Sequence, residues 1–251
     1  MSSFKLLLSA ALIGFVPVLA FAADAAPFTD AQKAAIEDIV RNQLTKKEPD
    51  IIIKAAQEIQ NRQETEAGAK NQQALAANRD KIFNDANAPV GGNPKGDVTV
   101  VEFYDYQCGY CKMTEEAVRK LLTEDKNVKF VYKEYPILGP NSVQASKASL
   151  ASVRQGKFAK FHDALMTTKD HLTDDVIFKV AKSNGLDAEK LKKDMTDESI
   201  DKMIKANQAL GNEIGAHGTP TFVIGDQVYP GALPYESLKK SVDELRASAK
   251  K

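Results

Sequence analysis

The apolar positions of this chain follow three patterns in turn. Leu6 to Leu19 is almost unbroken in its apolarity. From Phe28 to about Asn87 apolar residues recur at helical spacing in a background of Ala, Gln, Glu and Lys, with no aromatic residue between Phe28 and Phe83. A first helix is predicted to open at Thr29, whose hydroxyl can cap the first turn while Gln32 reaches back, with Ile36, Ile39, Val40 and Leu44 as its apolar stripe. After a break at Lys46 to Pro49, a second helix carries Pro49 in its first turn. It runs Ile52, Ala55, Ala56 and Ile59 along one face and continues through a polar middle towards Leu75, Ile82 and Phe83. Two helices this polar cannot form a core of their own, so their isoleucine stripe needs a cover. A second copy of the chain, as a dimer, is the expected cover, and folding back on the rest of the chain is the alternative.

The third pattern begins after Pro89-Val90-Gly91-Gly92-Asn93-Pro94-Lys95-Gly96, a turn-rich stretch that marks a domain boundary. Val98 to Tyr104 is dense in β-branched and aromatic residues and predicts a strand; a helix from about Cys108 to Leu122 and a second strand from Val128 to Lys133 complete a βαβ unit. The chain then reads as helical from Asn141 to about Ile214, with breaks near Gln155-Gly156, His171 to Thr173 and Ser183 to Gly185. Thr221 to Gly225 and Gln227 to Pro230 predict a hairpin, followed by a helix from Pro234 to about Ala247. The expected organisation is therefore a leader at 1–22, a helical oligomerisation segment at 23–88 and an α/β domain at 89–251 with a helical insertion at about 141–214.

The first apolar run changes how the rest is read. Lys5 precedes it and Ala20-Phe21-Ala22 offers a small-residue cleavage site, so Met1 to Ala22 has the form of a secretory signal, and it is short for a membrane anchor. The chain carries 34 basic and 34 acidic side chains. That balance gives no electrostatic reason to expect nucleic acid as a partner. Both cysteines sit in Cys108-Gly109-Tyr110-Cys111. A loop this small makes a poor structural staple, because the stabilisation from a disulfide grows with the length of chain it closes. The pair is better explained by chemistry.

Cys-x-x-Cys alone is a weak signal. Lys112 follows it where haem attachment requires His, and a zinc site would have to recruit His162, His171 or His217 from three separate segments. No metal and no cofactor are expected. The strand-to-helix junction is more informative: a cysteine in the first turn of a helix meets unpaired N–H groups, which lower a thiol pKa from ~8.5 to roughly 3.5–7.5. Cys108 is the expected nucleophile, and Cys111, three residues on and turned inward, is placed to release whatever Cys108 captures.

Phe103 to Lys112 and Gly218-Thr219-Pro220-Thr221-Phe222-Val223 resemble the thioredoxin superfamily, and within it the periplasmic DsbA-like proteins. The resemblance covers about Asp97 to Lys250 and implies a thioredoxin fold, with the helical stretch as its insertion. It implies a cis bond before Pro220 and a substrate-facing Thr219 beside the nucleophile. It also implies a buried acid at Glu102, which could accept or relay the Cys111 proton while Lys133 on the neighbouring strand keeps it charged; exposed strand positions are the alternative for both. Gly109-Tyr110 and Thr219 are similar to the corresponding residues of disulfide isomerases, whereas plain oxidases carry Pro-His and Val there. The leading helices resemble the oligomerisation extensions of isomerases and of a DsbA-like subgroup. The implied function is disulfide formation and rearrangement in unfolded or misoxidised exported proteins, by a periplasmic homo-oligomer served by a membrane redox partner, with outer-membrane association as a further placement. Two rivals stand: a non-catalytic surface-associated binding or chaperone protein, and an exported zinc-binding protein.

Overall fold

A computed structural model describes residues 28–249; the leader read in Met1 to Ala22 lies outside them. The chain divides into two compact units that meet at Ile59 and Gln60. In the first, α1 (Asp30–Asn42) opens with the expected reciprocal cap, Gln32 N donating to Thr29 Oγ1 at 3.3 Å and Thr29 N donating to Gln32 Oε1 at 2.9 Å. A wider π-type turn follows at Gln43–Lys47, and α2 (Ile51–Ala77) runs on into the second unit. No residue of α1 is buried, and Ile39 and Ile52 are each 67% exposed.

The second unit is built on a five-stranded sheet of β1 (Val90–Gly92), β2 (Val98–Tyr104), β3 (Val128–Glu134), β4 (Thr221–Ile224) and β5 (Gln227–Pro230), in the order β1-β3-β2-β4-β5. β2 pairs parallel with β3 through the crossover helix α4 (Gly109–Glu124) and antiparallel with β4. Both faces of the sheet are covered, which is why β2 reads as a nearly continuous apolar run. Its alternate residues serve different cores. Val98, Val100 and Tyr104 pack with α4 and the later helices, while Val101 and Phe103 pack with Val131, Val223, Leu75, Ile82 and Phe83 on the other face.

That second core shifts the expected domain boundary. Leu75, the short helix α3 (Arg79–Phe83) and Ala88 cover one face of the sheet, so the boundary expected at 88/89 falls inside the second unit. The strand β1 is also absent from the sequence reading. Its glycines suggest a turn, yet a Cβ on Gly91 would come within 2.9 Å of the Tyr132 ring, and Gly92 has φ 64°. Glycine here permits an edge strand to lie close against β3, with Val90 opposite Val131.

Between β3 and β4 lie α5 (Pro140–Ser152), α6 (Phe158–Thr167), α7 (Asp174–Ser183), α8 (Ala188–Asp194) and α9 (Glu198–Glu213), and α10 (Tyr235–Ser248) closes the unit. The side chains of Thr173, Asp187 and Asp197 cap α7, α8 and α9. The last of these marks a fourth break, at residues 195–197, beyond the three expected; Asp197 holds it by accepting from Ser199 N and from Arg154.

Two glycines test this packing in opposite directions. A Cβ on Gly96 would meet the backbone at Asn127 O (2.4 Å) and Lys129 N (2.5 Å), whereas nothing lies within 4 Å of one on Gly68 in α2. Gly96→Ala is expected to lower stability by roughly 1–3 kcal/mol and Gly68→Ala to raise it by up to about 1 kcal/mol, as read by thermal melting of the two variants.

Candidate active site

The loop between β2 and α4 is held from beneath by one buried carboxylate. Asp105 accepts from Gln107 N at 2.8 Å and from Ile137 N and Leu138 N at 2.9 and 3.0 Å, and its backbone carbonyl accepts from Cys108 N at 3.0 Å. This ties the loop to the chain leaving β3 and sets Cys108 at the N-terminal boundary of α4. Cys111 follows in the first turn and is buried, while Gly109 and Tyr110 between them are exposed. Pro220 arrives from the opposite side, ahead of β4. The Thr219–Pro220 peptide bond is cis, and Cys108 in its thiol form donates to the Thr219 carbonyl oxygen at 3.1 Å. All four of these expected site residues therefore converge on one sulfur.

The two thiols, both free, are electrostatically unlike. The hydrogen bond donated by the Cys111 thiol lowers the Cys108 pKa to about 5; partial burial opposes this, and hydrogen bonds from the Thr219 side chain and from the Cys111 and Tyr110 N–H groups add to it. Cys111 is pushed far up, first by burial, then by its bond to Cys108 and by the nearby Glu102 carboxyl. At neutral pH Cys108 is an anion and Cys111 a donor. Because the folded pKa of Cys108 lies below the ~8.5 of a free thiol, the reduced fold gains stability above that value and loses it as pH falls through about 5. The disulfide form gains nothing of the kind, so this interaction favours reduction of the pair.

The two charged strand residues part company. Glu102 is buried on the face of the sheet that carries the cysteines, and its Oε2 has no hydrogen-bond partner. Burial first, then the Glu115 carboxylate and the Cys108 sulfur, push its pKa well above the carboxylate range. Lys133 is equally buried, but it lies opposite Phe103 in the register and shares that residue's face. Its Nζ is 2.6 Å from Asp85 Oδ2. The expectation that Lys133 keeps Glu102 charged is therefore corrected: Glu102 and Lys133 differ by one position in the β2–β3 register, and a step of one residue moves a side chain through the sheet.

Sequence reasoning missed several residues that hold this site. Asp105 could have been found from its spacing, since an Asp two residues before an N–H is a turn signal. Three others involve distant partners with no local signature: Lys112 Nζ donates to Thr168 O at 2.6 Å, Gln107 meets His171, and Glu115 Oε2 lies 3.3 Å from His162 Nε2. Among the described residues, Glu115, His162 and Asp163 bring ligand atoms within 4.8 Å of one another, and neither cysteine belongs to that group.

The sulfur pair gives a direct test. Absorbance of the thiolate against pH should place Cys108 near 5 in the reduced protein, and Cys111→Ala should raise the midpoint by roughly one unit or more, as loss of a hydrogen bond to a charged group implies. Lys133→Met should leave that midpoint in place while lowering the melting temperature, because it strips Asp85 of its partner.

Comparison with known proteins agrees with this geometry. The sequence matches the DsbA-like thioredoxin domain family over residues 99–243. A thioredoxin-like oxidoreductase from Silicibacter pomeroyi is 44% identical with a TM-score of 0.67, covering 68% of this chain and 98% of that one. A linker-deletion mutant of Proteus mirabilis ScsC is 31% identical with a TM-score of 0.67, covering 89% and 99%. The thiol-disulfide exchange protein alpha-DsbA2 from Wolbachia pipientis is 31% identical with a TM-score of 0.66, covering 71% and 97%. The chain spans about a quarter of the length of the first curated relatives it matches, being 30% identical over 163 residues to 25% of the Na(+)/H(+) antiporter NhaA 3 of Salinispora tropica. The family match over residues 99–243, together with a cysteine pair of this asymmetry beside a cis-proline, identifies the chain as a member of the DsbA-like thioredoxin domain family.

Proposed function

We propose that this protein exchanges disulfides with exported protein substrates through Cys108 and Cys111, both forming and rearranging them. The observation that carries this reading is the division of labour between the sulfurs, one anionic near neutral pH and one held as a thiol donor. The Cys108 thiolate attacks a disulfide sulfur of the client; a bond to Cys108 forms, the client disulfide breaks, and the second client sulfur leaves as a thiolate. That thiolate can attack elsewhere in the client and free Cys108 with no net oxidation, which is isomerisation. Alternatively Cys111 loses its proton, attacks Cys108 and leaves the pair oxidised and the client reduced; run in reverse, the same two steps place a disulfide in the client.

Glu102 is the proposed acceptor for the Cys111 proton. The Cys108 charge is one of the causes that raise the Glu102 pKa. Once Cys108 is tied up in a mixed disulfide that charge is gone, which leaves burial and Glu115 in place but makes ionisation of the carboxyl easier than in the free reduced protein. Thr219 and Pro220 form the wall against which an extended client segment lies. Exposed Tyr110, Met113, Ile137 and Leu138 surround the loop and supply apolar contact for an unfolded chain.

The exposed stripe of Ile36, Ile39, Val40, Leu44, Ile52 and Ile59 supports self-association, a dimer in the first instance, and the Proteus mirabilis relative matches 89% of this chain. A periplasmic location and a membrane redox partner complete the reading; among the described residues no helix is long and apolar enough to cross a membrane.

Insulin reduction and the refolding of a scrambled client test the chemistry together. Cys108→Ala should abolish both activities, and Cys111→Ala should accumulate mixed disulfides; equal activity of wild type and Cys108→Ala would sink the mechanism. For the assembly, Ile36→Glu with Ile39→Glu should reduce the native mass in light scattering to that of one chain, with refolding of the scrambled client falling while insulin reduction persists.

A further inference from the structure

A second polar system lies buried on the cysteine face of the sheet. Tyr104 OH donates to Glu134 Oε1 at 2.5 Å and lies 3.2 Å from Tyr106 OH. Tyr106 OH is in turn 2.8 Å from His162 Nδ1 and 2.6 Å from Ser149 Oγ. His162 Nε2 is 3.3 Å from Glu115 Oε2. Every member of this chain is buried, and its two ends are carboxyl groups on different elements, β3 and α4. Glu115 stands one helical turn beyond Cys111 on the same buried face of α4, and its charge acts on Glu102 more strongly than that of Cys108. Tyr104, Tyr106, Tyr132 and Phe158 ring His162 with centroids 4.6–5.4 Å away, so the imidazole is fixed in orientation and meets polar partners through its two nitrogens.

We propose that this Glu134–Tyr104–Tyr106–His162–Glu115 chain is a positioning and proton-holding device for the resolving step, through which the protonation of Glu134 is felt by Glu102 and Cys111. The inference rests on the exchange reaction proposed above and adds residues that touch neither substrate nor sulfur. The Glu115 carboxylate raises the Glu102 pKa, and the hydrogen-bonded chain joins Glu115 to Glu134 through buried groups, so a change of charge at Glu134 is transmitted towards Glu102 in a low-dielectric region. Burial, offset first by the hydrogen bond from Tyr104, brings Glu134 to about 7. Burial also holds the Tyr104 and Tyr106 phenols protonated, so they remain donors along the chain. The other titratable groups facing it are Tyr132 from β3, Asp163 beside His162 on α6, and Arg119, whose Nε is 4.0 Å from Glu115 Oε1 on α4.

The sign of the effect follows. Below pH 7 Glu134 is neutral; above it, a further buried negative charge opposes the Cys111 thiolate. The resolving rate should therefore climb with pH, flatten around neutrality and climb again. Reaction of the full-length reduced protein with Ellman's reagent in a stopped-flow instrument separates the steps. Cys108 attacks the reagent disulfide and expels one aryl thiolate. Cys111 then loses its proton and attacks Cys108, the mixed disulfide breaks, and a second aryl thiolate leaves.

The second phase of the wild type should show the flattening near pH 7. In Glu134→Gln it should become a single rise, with the rate at pH 8 roughly three- to ten-fold above wild type, the change that half to one pKa unit at Cys111 produces. Tyr106→Phe, which keeps Glu134 and cuts its link to His162, should weaken the flattening without abolishing it. A wild-type second phase with one uninterrupted rise overturns the proposal without recourse to a variant, as do folded variants whose profiles superimpose on wild type. A wild type with no first phase would instead overturn the exchange reaction itself.

Discussion

A single proton shared between two sulfurs constrains the rest of this site. Cys111 keeps its hydrogen because it is buried and donates it to Cys108, and Cys108 loses its own because it receives that bond at the start of a helix. Neither state survives alone: an exposed Cys111 would compete as a nucleophile, and a Cys108 away from the helix start would be an ordinary thiol. The anchoring of the loop by Asp105, the placing of Cys108 at the N-terminal boundary of α4 and the approach of Thr219 all serve to hold that one hydrogen bond in place.

The sheet that supports this pair separates two kinds of buried charge. On the cysteine face Glu102 and Glu134 lie among tyrosines and an imidazole, where ionisation is costly and protons are held. On the other face Lys133 and Asp85 form an ion pair that fastens the segment after α3 to β3. Burial costs both kinds of group heavily, but the consequences differ. A paired Lys and Asp need no proton exchange, so that face is suited to holding the structure together, while unpaired carboxyls respond to every nearby change of charge.

The helical extension is likewise divided by its apolar content. Its later part supplies Leu75, Ile82 and Phe83 to the core against Val101 and Phe103, so it belongs to the domain it covers. Its earlier part presents branched aliphatic side chains to solvent at a density that an isolated helix does not sustain cheaply. The stretch between Ile59 and Leu75, polar on every side, has no stripe to bury and ties the two together.

Local chemistry in the sequence was enough to determine strands β2 to β5, the starts of α1 and α4 and the placing of the cysteine pair. The β-branched run at Val98 to Tyr104, the Thr29 cap and the Cys-x-x-Cys pair at a strand-to-helix junction each act over a few residues, and each is found where expected. The edge strand at Val90 was not legible, because its glycines are required by the Tyr132 ring, a neighbour supplied by another strand. Nor was the parting of Glu102 from Lys133, since the register between two strands decides which face a side chain occupies. The buried chain from Glu134 to Glu115 draws on β2, β3, α4 and α6, and hydrogen bonds between residues 30 to 56 positions apart leave no periodic trace in a sequence. Tertiary structure alone could decide those, because burial and partner geometry, which set the protonation of every group at this site, are properties of the assembled fold.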